Sequence, residues 1–372
     1  MEIAHLSDLR RARRLVVKIG SALLIENGSP RAEWLGSLAA ELAALREHTE
    51  ILVVSSGAIA LGAARLGLAR GGRGSLADAQ AAASVGQVEL ARLWSEALGR
   101  HGIIAAQLLV TLGDLEDRRR YLNASATLAR LIEAGAVPVI NENDSVATEE
   151  IRFGDNDRLA ARVAQAASAD AVVLLSDVEG LYDRHPREPG AVLIERVDGV
   201  TAEILAMASA DSGSGLGRGG MAAKVEAARI AERAGIALAI IDGTGHAPLA
   251  KALDAGRGTL FLPQRDEGSR KAWLGGRLTV AGVLGVDEGC VAALGQGASL
   301  LAAGLSEVEG DFVRGDLVAI HGPKGERLGQ GLVEYASHEC RAIMGLREAE
   351  QEERLGYTPR AAVIHRDHMV RT

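Results

Sequence analysis

Four short apolar runs in the first half of the chain each stop on a polar or glycine-bearing cluster, and helical stretches separate them. The clusters are Lys18-Ile19-Gly20-Ser21, Ser55-Ser56-Gly57, Asn141 to Asp144, and Ser176-Asp177. Strands that alternate with helices specify a mostly parallel sheet covered by helices on both faces. Ligands of such open sheets sit beyond the carboxyl ends of the strands. Parallel pairing therefore carries all four clusters to one edge. Any one of them is an ordinary strand-to-helix turn; their convergence is what marks a site.

The remaining elements fit that alternation. Leu15 to Ile19, Ile51 to Val54, Ile103 to Leu109, Val137 to Ile140, Ala171 to Leu175 and Ile236 to Ile241 read as strands. Arg31 to His48 has helical spacing, with Trp34, Leu35, Leu38, Leu42 and Leu45 on one side. Helices are also expected from Leu76 to about Arg100, over Asp117 to Glu133, Arg158 to Ala167 and Thr201 to Ser209, and from Met221 to Ala234. Past Phe261 the texture changes. A polar connector, PQRDEGSRK, leads into short strands set apart by Gly-Asp and glycine-rich turns, with one helix near Asp287 to Leu294. This predicts a small, separate β-rich domain.

The densest polar segment follows the run VPVI: Asn141, Glu142, Asn143 and Asp144, then Asp155, Asn156 and Asp157. Acids accept from an ammonium, and amides take either an ammonium or a carboxylate, so the set suits an amino acid. Its alternative is a solvated loop of Asx turns. A second segment, Gly213 to Gly220, opens the helix at Met221. Glycines before a helix let backbone N–H groups reach a phosphate, and the helix terminus adds positive potential. Lys224, one turn inside that helix, can join them. Gly215, Gly217 and Gly220 also satisfy the dinucleotide pattern, with Asp242 at the end of the next strand. That pattern should follow a strand directly, whereas Ile204 to Ser209 reads as helical. Phosphoryl transfer wants cations, Mg²⁺ and N–H donors around the moving group. Lys18 and Lys224 are the lysines next to glycine-containing loops here; the alternative for Lys18 is a strand-end lysine reaching solvent.

Composition removes several classes. The net charge of −8 argues against broad binding to nucleic acid or an anionic membrane. No stretch approaches the roughly 20 apolar residues of a membrane span, and the arginine-rich start meets Lys18 and Gly20 too early for a signal-peptide core. The expected location is the cytoplasm. Cys290 and Cys340 are too few for a disulfide framework or a zinc site and read as buried thiols.

VVKIGSALL, SSGAIALG, INENDSV, FGDND, LLSDVEGLY and SGLGRGGMAAK, in this order, resemble the amino-acid kinase family. Within it, NENDSV paired with FGDND and GLGxGGMxxK resembles the members that phosphorylate the side-chain carboxylate of glutamate. VDEGCVAALGQGASLL, FVRGDLVAI and GLVEYAS resemble the PUA domain appended to many of those enzymes. The likeness covers nearly the whole chain after the first dozen residues.

The resemblance implies a three-layer αβα sandwich around a mostly parallel open sheet in residues 1–262. A linker over 263–276 and a PUA-like β-barrel over 277–372 follow. It implies that Lys18 and Lys224 stabilise the transferring phosphoryl group and that Asp157 holds both lysines. Glutamate falls to Ser56, Gly57, Ala58, Asn141, Asp144, Asp155 and Asn156. ATP falls to Lys18, Gly20, Ser21, Ser176, Asp177, Arg218, Gly219, Gly220, Met221, Ala222, Ala223 and Lys224. No protein metal ligand is implied, Mg²⁺ being held mainly by ATP and water. Further implied are the first step of proline biosynthesis, feedback inhibition by proline, a homo-oligomer, and transfer of the product to a glutamyl-phosphate reductase. Relatives acting on acetylglutamate, aspartate, carbamate or a nucleotide remain the alternative. The C-terminal part is acidic, with Phe312, Tyr335 and Tyr357 as its only candidates for stacking bases, which argues against RNA as its ligand. Ser176, Arg218 and His185 depart from the commonest pattern, which has threonine, threonine and aspartate there.

Overall fold

The computed structural model describes residues 3–146, 155–210, 220–263 and 280–371. Two compact units emerge: Met1–Glu116 with Ala124–Arg265, and Asp117–Asn123 with Asp266–Thr372. The linker expected at 263–276 lies, apart from Pro263, outside the described residues.

In the first unit the chain runs β1 (Arg14–Ile19), α1 (Ser21–Leu24), a small hairpin of β2 (Ile25–Glu26) and β3 (Ser29–Pro30), α2 (Ala32–Leu45), β4 (Glu50–Ser55) and α3 (Ala58–Leu66). It continues through α4 (Leu76–Gly99), β5 (Ala105–Val110), α5 (Leu112–Glu116), α6 (Arg118–Glu133), of which the residues up to Asn123 count with the second unit, β6 (Val137–Glu142), α7 (Asp155–Ala166) and β7 (Ala171–Ser176). The last elements are β8 (Arg196–Asp198), α8 (Ala202–Ala210), α9 (Met221–Arg233), β9 (Ala237–Asp242), α10 (Pro248–Ala255) and β10 (Thr259–Leu262). The sheet order is β5-β6-β4-β1-β7-β9-β10-β8, parallel throughout except that β10 runs against β9. The strands that end in the four polar clusters, β6, β4, β1 and β7, are consecutive neighbours, so one sheet edge collects all four, as the alternation predicts.

Period-two alternation along β1 decides which face each side chain takes. Leu15, Val17 and Ile19 join a core with Trp34, Leu35, Leu38 and Leu42 of α2, Leu90 and Trp94 of α4, and Leu249 of α10. Val16 and Lys18 therefore point to the opposite face, where α7 packs on β1 and β7 and against α9. A lysine at position 18 is committed to the α7–α9 side by the pleat alone.

Helix α4 approaches α3 more closely than side chains allow. A Cβ placed on Gly62 would lie 1.8 Å from the Ala82 carbonyl oxygen, and one on Gly86 would lie 1.8 Å from that of Ala58. Both obstacles are backbone, which has no rotamer to yield. This glycine contact fixes the height of α4 against the sheet.

Several elements went unread in the sequence. Strands β8 and β10 and helix α10 complete the far edge; they are short, and β10 is reached through a glycine turn. The second unit has a sheet of order β12-β11-β13-β14-β15, built from β11 (Gly282–Val286), β12 (Leu305–Gly310), β13 (Leu317–His321), β14 (Arg327–Leu332) and β15 (Met369–Arg371). Besides α11 (Glu288–Gly295) it carries α12 (Ser337–Ile343) and α13 (Glu348–Leu355), where the sequence suggested one helix. Their starts are fixed by Glu339 and Glu350, which accept from the backbone N–H of Ala336 and Arg347. Cys290 and Cys340 are buried free thiols; burial pushes them up to about 11 and about 12, so they stay protonated and inert.

Candidate active site

The centre of the site is one carboxylate shared by two ammonium groups. Asp157 sits in the first turn of α7, Lys224 in the first turn of α9, and Lys18 near the end of β1. Lys18 Nζ lies 2.5 Å from Asp157 Oδ1, and Lys224 Nζ donates to Oδ2 at 3.2 Å. All three are buried, with relative exposures of 6% for Lys18, 1% for Asp157 and 9% for Lys224. Ionised groups this deep must be paired. Burial pushes the Asp157 carboxyl up, but the charges and hydrogen bonds of Lys18 and Lys224 outweigh it and hold it below the usual range. Burial is also the chief influence on Lys18 and, with repulsion from Lys224, lowers its pKa against the pull of Asp157 and Asp177. The cluster carries one excess positive charge in a low-dielectric setting, where an anion gains most from it.

Glycine keeps this charge accessible. A Cβ on Gly20 would sit 3.7 Å from Lys18 Nζ, which places the ammonium beside the turn from β1 into α1. Gly57, the N-cap of α3, holds φ at 129° and leaves no room for a Cβ, which would meet Ile25 Cδ1 at 2.8 Å. Ala58 begins α3 and is buried.

Beside the charges runs a chain of amides. Asn156 Nδ2 donates to Ser56 Oγ at 2.7 Å and to Asn141 Oδ1 at 3.3 Å. Asn141 Nδ2 donates in turn to Gln87 Oε1 of α4 at 2.8 Å. Asn156 Oδ1 is buried and accepts no hydrogen bond among the described residues. Asp144, after β6, lies close enough to Arg73 to favour the guanidinium charge that burial opposes. Gln87 and Arg73 both escaped the sequence reading. Nothing local marks either one: Gln87 stands in an alanine-rich helix, and Arg73 in a glycine and arginine link.

On the other side of β1, Ser176 is buried at the end of β7 and donates to Asp177 Oδ1 at 3.3 Å. Gly220 caps α9 with extended backbone, Met221 is buried, Ala222 is exposed and Ala223 half-buried. Ser21 opens α1 at the same rim. Arg218, Gly219, the glycine loop that carries them and the Asp155 side chain lie outside the described residues. The element before that loop is helix α8, not a strand, which removes the dinucleotide pattern's structural requirement. A narrow cleft lies between the segment after β7 and helices α8 and α9, lined by Val178, Leu181, Tyr182, Arg184, Met207 and Met221. His185 holds the turn at its mouth, accepting from Arg187 N–H at 3.2 Å through Nδ1.

Comparison with known proteins adds to this geometry. A model described as the amino acid kinase family matches residues 13–242, and a PUA domain model matches residues 282–355. The protein named glutamate 5-kinase in Novosphingobium aromaticivorans is 63% identical over 375 residues, covering 100% of both chains. Its namesake in Sphingopyxis alaskensis is 59% identical over 359 residues, covering 96% of this chain and 97% of its own. Among solved structures, the carbamate kinase from Giardia lamblia bound to AMP-PNP aligns with a TM-score of 0.48 at 13% identity, over 68% of this chain and 99% of its own.

Proposed function

The chain belongs to the amino acid kinase family, and from that membership we propose that it transfers the γ-phosphoryl group of ATP to the side-chain carboxylate of L-glutamate. The observation that carries this reading is the buried Lys18–Asp157–Lys224 cluster at the strand-end rim, with the amide chain of Ser56, Asn156 and Asn141 beside it.

No general base is required. A carboxylate with an ordinary pKa of about 4.3 is ionised at neutral pH and is already a nucleophile. One of its oxygens bonds to the γ-phosphorus in line as the bond to the ADP oxygen breaks, giving glutamyl 5-phosphate and ADP. Lys18 and Lys224 neutralise the charge on the moving group, and Asp157 keeps both ammonium groups charged and in place. Asn156 Oδ1 is a free acceptor for the substrate ammonium; Ser56 and Asp144 complete that side, with Gly57 and Ala58 giving backbone access. Ser176, Asp177 and the start of α9 take the nucleotide. Mg²⁺, when bound, would be held mainly by the triphosphate and water and would supply charge neutralisation there. Asp177 offers an oxygen donor of the kind that cation accepts.

Residues 1–262 form the kinase domain in this reading, and 277–372 a PUA-like domain. Proline has the ammonium and α-carboxylate of glutamate but lacks the attacking carboxylate, so it occupies the glutamate site without reacting. A homo-oligomer and delivery of the labile product to a reductase complete the proposal. The test is a hydroxylamine trap with ATP, Mg²⁺ and glutamate. We expect γ-glutamyl hydroxamate, suppressed by proline in competition with glutamate. No hydroxamate with glutamate, but turnover of aspartate or acetylglutamate, would assign a different substrate.

A further inference from the structure

We propose that Gln87 is a positioning residue that sets the polarity of the glutamate-binding amides; the proposal rests on the reading of Ser56, Asn141 and Asn156 given above. Asn141 is 2% exposed, and its amide has two distinguishable ends. Its Nδ2 donates to Gln87 Oε1, which leaves Oδ1 to accept from Asn156 Nδ2. Asn156 Nδ2 is thereby committed to Asn141 and Ser56, and its own Oδ1 is left as the buried acceptor. An acceptor is what a substrate ammonium needs. If Asn141 turned over, two Nδ2 groups would confront each other and Asn156 would turn as well. It would then show the ammonium a donor. Gln87 Oε1, 54 positions away in sequence, is thus the acceptor against which the Asn141 amide is oriented.

Helix α4 is built to hold that end. Gly86, the residue before Gln87, makes the close backbone approach to α3. Trp94 lies seven residues on and so on the same helical face; its Nε1 donates to Ser55 Oγ at 2.8 Å. One face of α4 thus touches the end of β4 through Trp94 and the end of β6 through Gln87. A surface amide would have neither the glycine seat nor a buried partner.

Two variants of the full-length protein test this. Gln87→Met keeps the length of the side chain and removes the acceptor. Gln87→Glu keeps an acceptor oxygen for Asn141 Nδ2. In the hydroxamate assay Gln87→Met should raise the KM for glutamate about tenfold, the loss of one buried hydrogen bond, with kcat and the KM for ATP within about twofold of wild type. Gln87→Glu should return the KM for glutamate toward wild type. An unchanged KM for glutamate in Gln87→Met overturns the proposal while leaving the kinase reading intact. So does an equal loss in kcat and both KM values that Gln87→Glu fails to rescue, since that is the signature of packing. A wild-type protein that forms no hydroxamate removes the kinase reading itself, and the positioning role with it.

Discussion

Lys18→Ala and Lys224→Ala should each lower kcat by a hundredfold or more, with the KM for glutamate little changed. The expected loss is that of a preorganised charge aimed at the transition state, on the order of ~3–4 kcal/mol. Both ammonium groups are buried and held on one carboxylate, so neither must reorganise when charge develops on the γ-oxygens. An exposed lysine would spend part of its effect on desolvation and side-chain entropy. Lys18→Arg should recover little of the loss. The planar guanidinium cannot replace a compact charge seated 2.5 Å from Asp157. Steady-state kinetics with thermal melting checks this; wild-type turnover in a folded alanine variant would remove that lysine from the mechanism.

The second large effect is expected at Asp157. Asp157→Asn keeps the shape of the side chain and removes the negative charge that two buried ammonium groups share. Burial and repulsion from Lys224 then face only the pull of Asp177, and Lys18 is driven toward its neutral form. Its pKa is already lowered by burial, and loss of the Asp157 charge lowers it further. Turnover at neutral pH should fall by about a hundredfold, as for loss of the lysine charge itself. Its direction with pH follows: a lower lysine pKa means that lowering the pH restores the cation, so residual activity should rise as the pH is lowered, more steeply than that of wild type. A circular-dichroism spectrum like that of wild type, with depressed turnover, is the expected pairing. A variant that unfolds instead would make Asp157 structural, and one with unaltered turnover would show that the lysines hold their charges without it.

How far this site could be read beforehand depended on distance along the chain. The four strand-end clusters were legible because a parallel sheet forces consecutive βα units to discharge their polar ends on one side. Lys18 could be assigned to a strand end; that it points at α7 and α9 follows from the pleat once its neighbours are known. The sharing of Asp157 between the lysines came from the resemblance, since three residues at positions 18, 157 and 224 have no common local pattern. Gln87 and Arg73 stayed hidden for the same reason. Gln87 acts through a glycine-seated helix crossing, which is a property of α3 and α4 together. The narrow cleft near Tyr182 was also missed, because Leu181, Met207 and Met221 read as core until the segments are placed together. In the C-terminal unit α12 and α13 are too short for periodicity to reveal and are held by single acidic side chains at their starts.

The most direct test of the account uses L-glutamate labelled with ¹⁸O in both oxygens of its side-chain carboxylate. The enzyme is run with ATP and Mg²⁺ in the presence of hydroxylamine, and the inorganic phosphate is analysed by mass spectrometry. If the carboxylate attacks the γ-phosphorus, one labelled oxygen bridges carbon and phosphorus in the product. Hydroxylamine then attacks the acyl carbon, so the released phosphate carries one ¹⁸O and the hydroxamate keeps the other. Phosphate that forms at the same rate without label would mean that water, not glutamate, accepts the phosphoryl group, and would contradict the account at its centre.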